Sequence, residues 1–249
     1  MKGAEVMIAL DVSNSMLARD YSPDRLDRAK LAISRLVDKL NGDRIGLVLF
    51  AGTSFVQLPI TTDYVSAKMF LNNISTESVP VQGTAMGDAI NTCIRSFSAQ
   101  SEKSRAIIVI TDGENHEDDP VSAAKQAAEM GISVYTIGVG SEQGQPIPMK
   151  GGLLKDSEGN IVVTKLDEST LRDVARAGNG AYVHAGNDEF GLNPIIDNVR
   201  KLDEEQFSSV VFEEYDEQYM YFFAIALALF VIQMMVGERK VLRHLFDKK

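Results

Sequence analysis

Cysteine occurs once in the chain, as Cys93, so neither an internal disulfide nor a thiolate metal cluster is possible. Basic residues are outnumbered as well: 25 Lys and Arg stand against 35 Asp and Glu, a formal net charge of -10. That balance argues against a non-specific nucleic-acid binder, whose footprint is a basic face. There is no G-x-x-x-x-G-K-[ST] loop and no G-x-G-x-x-G, which leaves nucleotide and dinucleotide binding without local support. No internal repeat and no low-complexity tract interrupts the sequence, and Met1 is followed by no signal peptide.

What the chain does contain is enough for a core. Of its 249 residues 45% are hydrophobic and 24% charged, which fits one globular domain of about 1–204 with a further segment attached. That segment holds the longest apolar run. From Met220 to Val236 it carries no charge, at the short end of the roughly 17–25 residues that span a bilayer as a helix. An acidic linker over 205–218 precedes the expected span at 219–237, and a basic tail with Arg239, Lys240, Arg243, Lys248 and Lys249 fills 238–249. The positive-inside rule then puts the C-terminus in the cytoplasm and the globular part outside it. A buried core helix is the alternative, but such helices are seldom apolar on every side. With no exporting segment after Met1, either this orientation is wrong or residues able to export the domain lie upstream of Met1; the second is the expectation, because Met1-Lys2-Gly3 leads almost directly into a strand.

Through the rest of the chain strands alternate with helices, the pattern of a doubly wound, mostly parallel α/β sheet of Rossmann-like type. The strands are short apolar runs at Val6–Leu10, Ile45–Phe50, Ala106–Ile110 and Ser133–Ile137, with a weaker one at Ala181–His184. Continuous apolar runs are what a sheet buried on both faces requires. Ser54–Leu58 reads as an antiparallel edge strand ending at Pro59. Helices are predicted from Ser22-Pro23 as cap and first position to Asn41-Gly42, then at Asp63–Leu71, Ala85–Phe97, Val121–Met130, Glu168–Ala177 and Pro194–Leu202. An insertion over 141–165 is expected to hold a small hairpin, Leu153-Leu154-Lys155 against Ile161-Val162-Val163.

In an open parallel sheet, ligands bind beyond the carboxyl ends of the strands. Three clusters lie there: Asp11, Ser13 and Ser15 after the first strand; Thr84 in Gly83-Thr84-Ala85-Met86-Gly87, opening a helix; and Asp112 in Thr111-Asp112-Gly113-Glu114. Two carboxylates and three hydroxyls suit a hard divalent cation such as Mg²⁺, which takes about six oxygens and keeps several waters. Asp11 or Asp112 alone reads better as a turn residue, and Thr84 reads also as the N-cap of its helix; jointly they favour a metal. Glu114, His116, Glu117 and Asp118 read as solvated charges, Asp119-Pro120 as cap and first helical position, and His184 and His244 as ordinary residues.

Taken together, DVSNS, GTAMGDA and TDGE, in that order and strand context, resemble the metal-ion-dependent adhesion site of von Willebrand factor type A domains. The resemblance spans about 4–200 and implies that Asp11, Ser13, Ser15, Thr84 and Asp112 hold Mg²⁺, with Mn²⁺ or Ca²⁺ as substitutes. MIALDVSNSMLA, RIGLVLFAG with QLPITTDY, and LKDSEGNIVVTKLDESTL further resemble the Bacteroides aerotolerance (Bat) group of membrane-anchored proteins. That implies a domain on the periplasmic side of a bacterial inner membrane. It implies as partners a protein offering an Asp or Glu carboxylate, sibling Bat proteins and a MoxR-type AAA+ ATPase. It implies a role in assembly and not catalysis. The competing enzyme class is a metal-dependent phosphohydrolase, but haloacid dehalogenase-type enzymes resemble D-x-D after the first strand, where this chain has Ser13. A structural membrane component with a vestigial site is the third reading.

Overall fold

The computed structural model describes residues 3–40, 42–98, 103–115, 117–186, 191–199, 227 and 229–233. The chain divides into two units, Met1–Glu205 and Gln206–Lys249. In the first, six strands form one sheet: β1 (Glu5–Asp11), β2 (Arg44–Phe50), β3 (Ser54–Thr61), β4 (Arg105–Thr111), β5 (Ile132–Gly138) and, last in the chain, a strand over Asn179–His184. With the four two-residue strands of the insertion counted as β6 (Gln145–Pro146), β7 (Pro148–Met149), β8 (Gly152–Leu153) and β9 (Val163–Thr164), that last strand is β10. The sheet order is β10-β5-β4-β1-β2-β3, all parallel except that β3 runs antiparallel to β2 at one edge. This is the expected α/β architecture with its single antiparallel edge.

Every residue of β1 is buried, because the strand sits mid-sheet with helices on both faces. Val6, Ile8 and Leu10 point into one apolar layer with α1 (Arg25–Lys39), α2 (Tyr64–Asn72) and the helical residues 192–199. Met7 and Ala9 point into the other, with α3 (Met86–Ser96), α4 (Pro120–Glu129) and α5 (Glu168–Ala177). The period-two alternation of side chains thus feeds two cores from one apolar run.

Three local expectations are corrected. β3 does not stop at Pro59 but continues to Thr61; the pairing shifts between Leu47↔Leu58 and Ile45↔Thr61, so the proline falls in a bulge on an edge strand, where its missing N–H costs no ladder bond. Helix α1 is not capped by Ser22: Asp24, in extended backbone, accepts a hydrogen bond from the Asp27 N–H at 2.8 Å, and the helix begins at Arg25. Asp24→Ala is therefore expected to cost about 1 kcal/mol in urea unfolding, whereas Ser22→Ala stays within about 0.5 kcal/mol. In the insertion, Lys155 bridges Ile161 and the Val162 N–H donates to the Leu154 carbonyl, but β6–β9 and β7–β8 pair as well, so it is a longer folded arm than a single hairpin.

The expected span lies outside the described residues except for Leu227 and 229–233, which are helical. Among the described residues no helix is long and apolar enough to cross a membrane. His116 and His244 also lie outside the described residues.

Candidate metal centre

The strand order reverses direction between β1 and β4, and their carboxyl ends open at this switch point. Asp11 closes β1 and Asp112 follows β4, so the parallel register places two carboxylates at neighbouring strand ends, both fully buried. Ser13 and Ser15 are also buried, the first at the start of the short 3₁₀ segment Asn14–Leu17 and the second within it. Their hydroxyl oxygens lie 2.9 Å apart. The Ser13 N–H donates to Asp11 Oδ1 at 2.8 Å, and the Thr111 hydroxyl donates to Asp11 Oδ2 at 2.6 Å, fixing the carboxylate from both sides.

Thr84 is brought to the same end through the backbone. The Ala85 N–H donates to the Ala51 carbonyl just past β2, and the Asn14 N–H donates to Gln82 Oε1 at 3.0 Å, tying the first loop to the second. Thr84 is buried, but among the described residues its hydroxyl hydrogen-bonds to none of the other four site residues. It is not the N-cap of α3 either. That position is Ala85, which supplies no side-chain cap, and the third loop does the work: Asn115 Oδ1 accepts from the Met86 N–H, and the Asp118 carboxylate accepts from Gly87 and Asp88 at 2.9 and 2.7 Å. Asp118, expected as a solvated charge, satisfies helix donors that would otherwise have no partner. Glu114 likewise accepts from the Lys165 N–H at 2.8 Å, whereas Asp119 caps α4 before Pro120 as expected.

One buried cation stands beside these groups. Arg25 is 0% exposed; its Nη1 donates to Asp112 Oδ2 at 3.0 Å and to Thr164 Oγ1 at 3.2 Å, while Nε and Nη2 donate to the two Asp20 oxygens at 2.6 and 2.7 Å. Thr164 Oγ1 itself donates to Asp112 Oδ2 at 2.9 Å. Burial raises the Asp20 carboxyl, but the hydrogen bond and charge of Arg25 outweigh it and hold Asp20 below the usual carboxylate value. Among the described residues Asp11 has no such partner. Burial first, and the charge of Asp112 second, push it from 3.8 up to about 7.

That shift sets a pH dependence for the ion-free protein. Between 3.8 and about 7 the folded state keeps a proton on Asp11 that the unfolded chain gives up, so the Asp11 contribution to stability falls as pH rises through this window. Urea melts in EDTA should show wild type losing stability relative to Asp11→Asn across that range and running parallel to it above. A difference independent of pH would contradict the assignment.

The donor set fits a hard divalent cation. Two buried carboxylates whose charges repel one another, with two neutral hydroxyls beside them, are oxygen ligands in want of positive charge. Among the described residues no three His, Cys, Asp or Glu side chains converge anywhere, so a softer or more carboxylate-rich site has no support.

A doubly wound sheet with an antiparallel edge and such a set of oxygens at its switch point defines the class, and the chain belongs to the von Willebrand factor type A domain family, whose model matches residues 5–177. Within it the chain falls in the aerotolerance-related Bat group. It is 50% identical to an aerotolerance-related membrane protein from Bacteroides fragilis and 52% identical to BatB, a conserved hypothetical protein from Bacteroides thetaiotaomicron. Each match covers 80% of this chain and 100% of the other at a TM-score of 0.77. A UPF0353 protein from Nocardia farcinica is 31% identical over 203 residues, 74% of this chain and 58% of that protein. The chain thus spans little more than half the length of that curated relative.

Proposed function

We propose that the chain is a membrane-anchored von Willebrand factor type A protein that holds Mg²⁺ on Asp11, Ser13, Ser15, Thr84 and Asp112 and uses it to engage a partner protein's Asp or Glu carboxylate. The observation that carries this reading is the buried meeting of Asp11 and Asp112 with the Ser13–Ser15 hydroxyl pair at the switch point. When bound, the ion supplies a Lewis-acid position that an outside carboxylate completes. The protein's own part is to hold its oxygens in place and keep few charges on them. Ser13 and Ser15 are neutral, and the charge of Asp112 is shared with Arg25, so a loaded site stays attractive to an anion. Among the described residues none of the site hydroxyls is hydrogen-bonded to a histidine, and the Asp11 carboxylate beside them is already held by the Ser13 N–H and the Thr111 hydroxyl, which favours binding over catalysis.

Anchoring is supported by the name membrane protein carried by the Bacteroides fragilis relative and by the apolar run 220–236, whose described residues Leu227, Leu229, Phe230, Val231 and Ile232 are each at least 50% exposed. Large apolar side chains in that number suit a lipid surface better than water. With the charge asymmetry around the run, the domain belongs on the periplasmic face of a bacterial inner membrane in this proposal. Other Bat-type membrane proteins, and an AAA+ ATPase of MoxR type, are its proposed partners, in an envelope assembly linked to oxygen or stress tolerance. Affinity capture from membranes tests it: the same partners should be recovered with Mg²⁺ and lost with EDTA or with Asp11→Asn. Capture indifferent to both would make the site vestigial, and phosphoester turnover lost in Asp11→Asn would move the protein to the hydrolase class.

A further inference from the structure

Arg25 is the largest fully buried side chain in the described protein, and five oxygen ligands for an ion do not by themselves require it. Its surroundings are built for it. Gly140, at φ 130, carries no side chain, and a Cβ there would lie 2.6 Å from Arg25 Nη2. Asp20, which takes the other side of the guanidinium in a bidentate pair, is itself held by the Ser141 N–H at 2.9 Å. Four stretches of chain therefore fix one planar group: the segment before α1, the loop after β4, the loop after β5 and the returning strand of the insertion.

The consequence falls on Asp112. Its Oδ2 accepts from both Arg25 Nη1 and the Thr164 hydroxyl, at 3.0 and 2.9 Å, which uses both lone pairs of that oxygen. Among the described residues Oδ1 accepts only from the Glu114 N–H, at 3.2 Å, and keeps one lone pair. Ca²⁺ takes 6–8 oxygens and readily accepts a carboxylate through both of its oxygens, whereas Mg²⁺ demands a near-ideal octahedron. We propose that Arg25, with Thr164, is a positioning residue that confines Asp112 to a single available oxygen and so biases the site toward the smaller ion and against Ca²⁺. The inference rests on the metal-site reading above. The insertion thereby acquires a role, since its last strand, β9, holds the third loop in the posture the ion needs.

Calorimetric titration of the purified full chain with MgCl₂ and, separately, with CaCl₂ tests this on wild type, Arg25→Lys and Thr164→Val, each checked by circular dichroism. Lysine keeps the charge but cannot span Asp20 and Asp112 as the fork does. Valine removes one donor and little volume. In Arg25→Lys the ratio of Ca²⁺ to Mg²⁺ association constants should rise by about tenfold, a scale typical of partners that orient metal ligands. In Thr164→Val it should rise in the same direction by a smaller factor. A merely structural role lowers both affinities together, and an unchanged ratio in folded variants overturns the proposal. If Arg25→Lys does not fold, Thr164→Val decides alone. Wild type that binds neither cation sinks the metal-site reading itself, and this inference with it.

Discussion

Asp11→Asn should erase the response of the protein to Mg²⁺ while leaving the ion-free fold at least as stable as wild type. A ligand that binds only the folded state stabilises it by RT ln(1 + [L]/Kd), about 2.7 kcal/mol when free ion stands at roughly 100 times Kd. Wild type should show that gain as a rise in unfolding midpoint on adding Mg²⁺ and its loss on adding EDTA. The variant should show neither. Its ion-free stability is the discriminating half. Asparagine is nearly isosteric and its carbonyl still accepts from the Ser13 N–H, whereas the charge that burial and Asp112 oppose is gone. A destabilised ion-free variant would mean that Asp11 serves the fold first and any ion second.

The second large effect belongs to Arg25→Met. Both partners of the guanidinium are buried, Asp112 with its side chain 0% exposed and Asp20 at 7%. Removing the cation leaves two carboxylates unpaired away from water. Breaking a buried pair from one side typically costs about 3–5 kcal/mol, because the charge left behind loses its compensation. Urea unfolding of the ion-free protein should show a loss of that order, and Asp20→Asn introduced into Arg25→Met should recover part of it by removing one stranded charge. A loss below about 1 kcal/mol would mean that water reaches the network and that Asp112 is not held as described.

The sheet was legible because it is buried on both faces. β1, β2 and β4 are near-continuous apolar runs that no amphipathic helix would produce, β5 is broken only by Ser133 and Thr136, and each is longer than expected by only a residue or two at its ends. The convergence of the candidate clusters was legible for a related reason: Asp11 and Asp112 stand where such runs end, at neighbouring parallel strands, while Thr84 stands where a helix opens and reaches the same end through backbone contacts. The network around them was not. Thr111 meets Asp11 across 100 residues and Thr164 meets Asp112 across 52, and nothing local marks either threonine as a partner. Arg25 did leave a signal. It stands four residues before Ala29 and eight before Ile33, on the stripe that α1 turns to the sheet, and a cation on a buried stripe requires a buried anion. Ser22-Pro23 misled because Asp24, two residues from Ser22, is an equally good cap and the helix begins where its carboxylate can reach Asp27. Nothing local marks Asp118 as a cap either, because the α3 donors it satisfies lie about 30 residues away in sequence.

Crystals of the globular unit grown or soaked with Mn²⁺, studied by anomalous diffraction, address the central claim most directly. The account predicts one anomalous peak, within bonding reach of Asp11, Ser13 and Ser15 and beside Asp112 Oδ1, that disappears in Asp11→Asn. No peak, or a peak away from these residues, would contradict it.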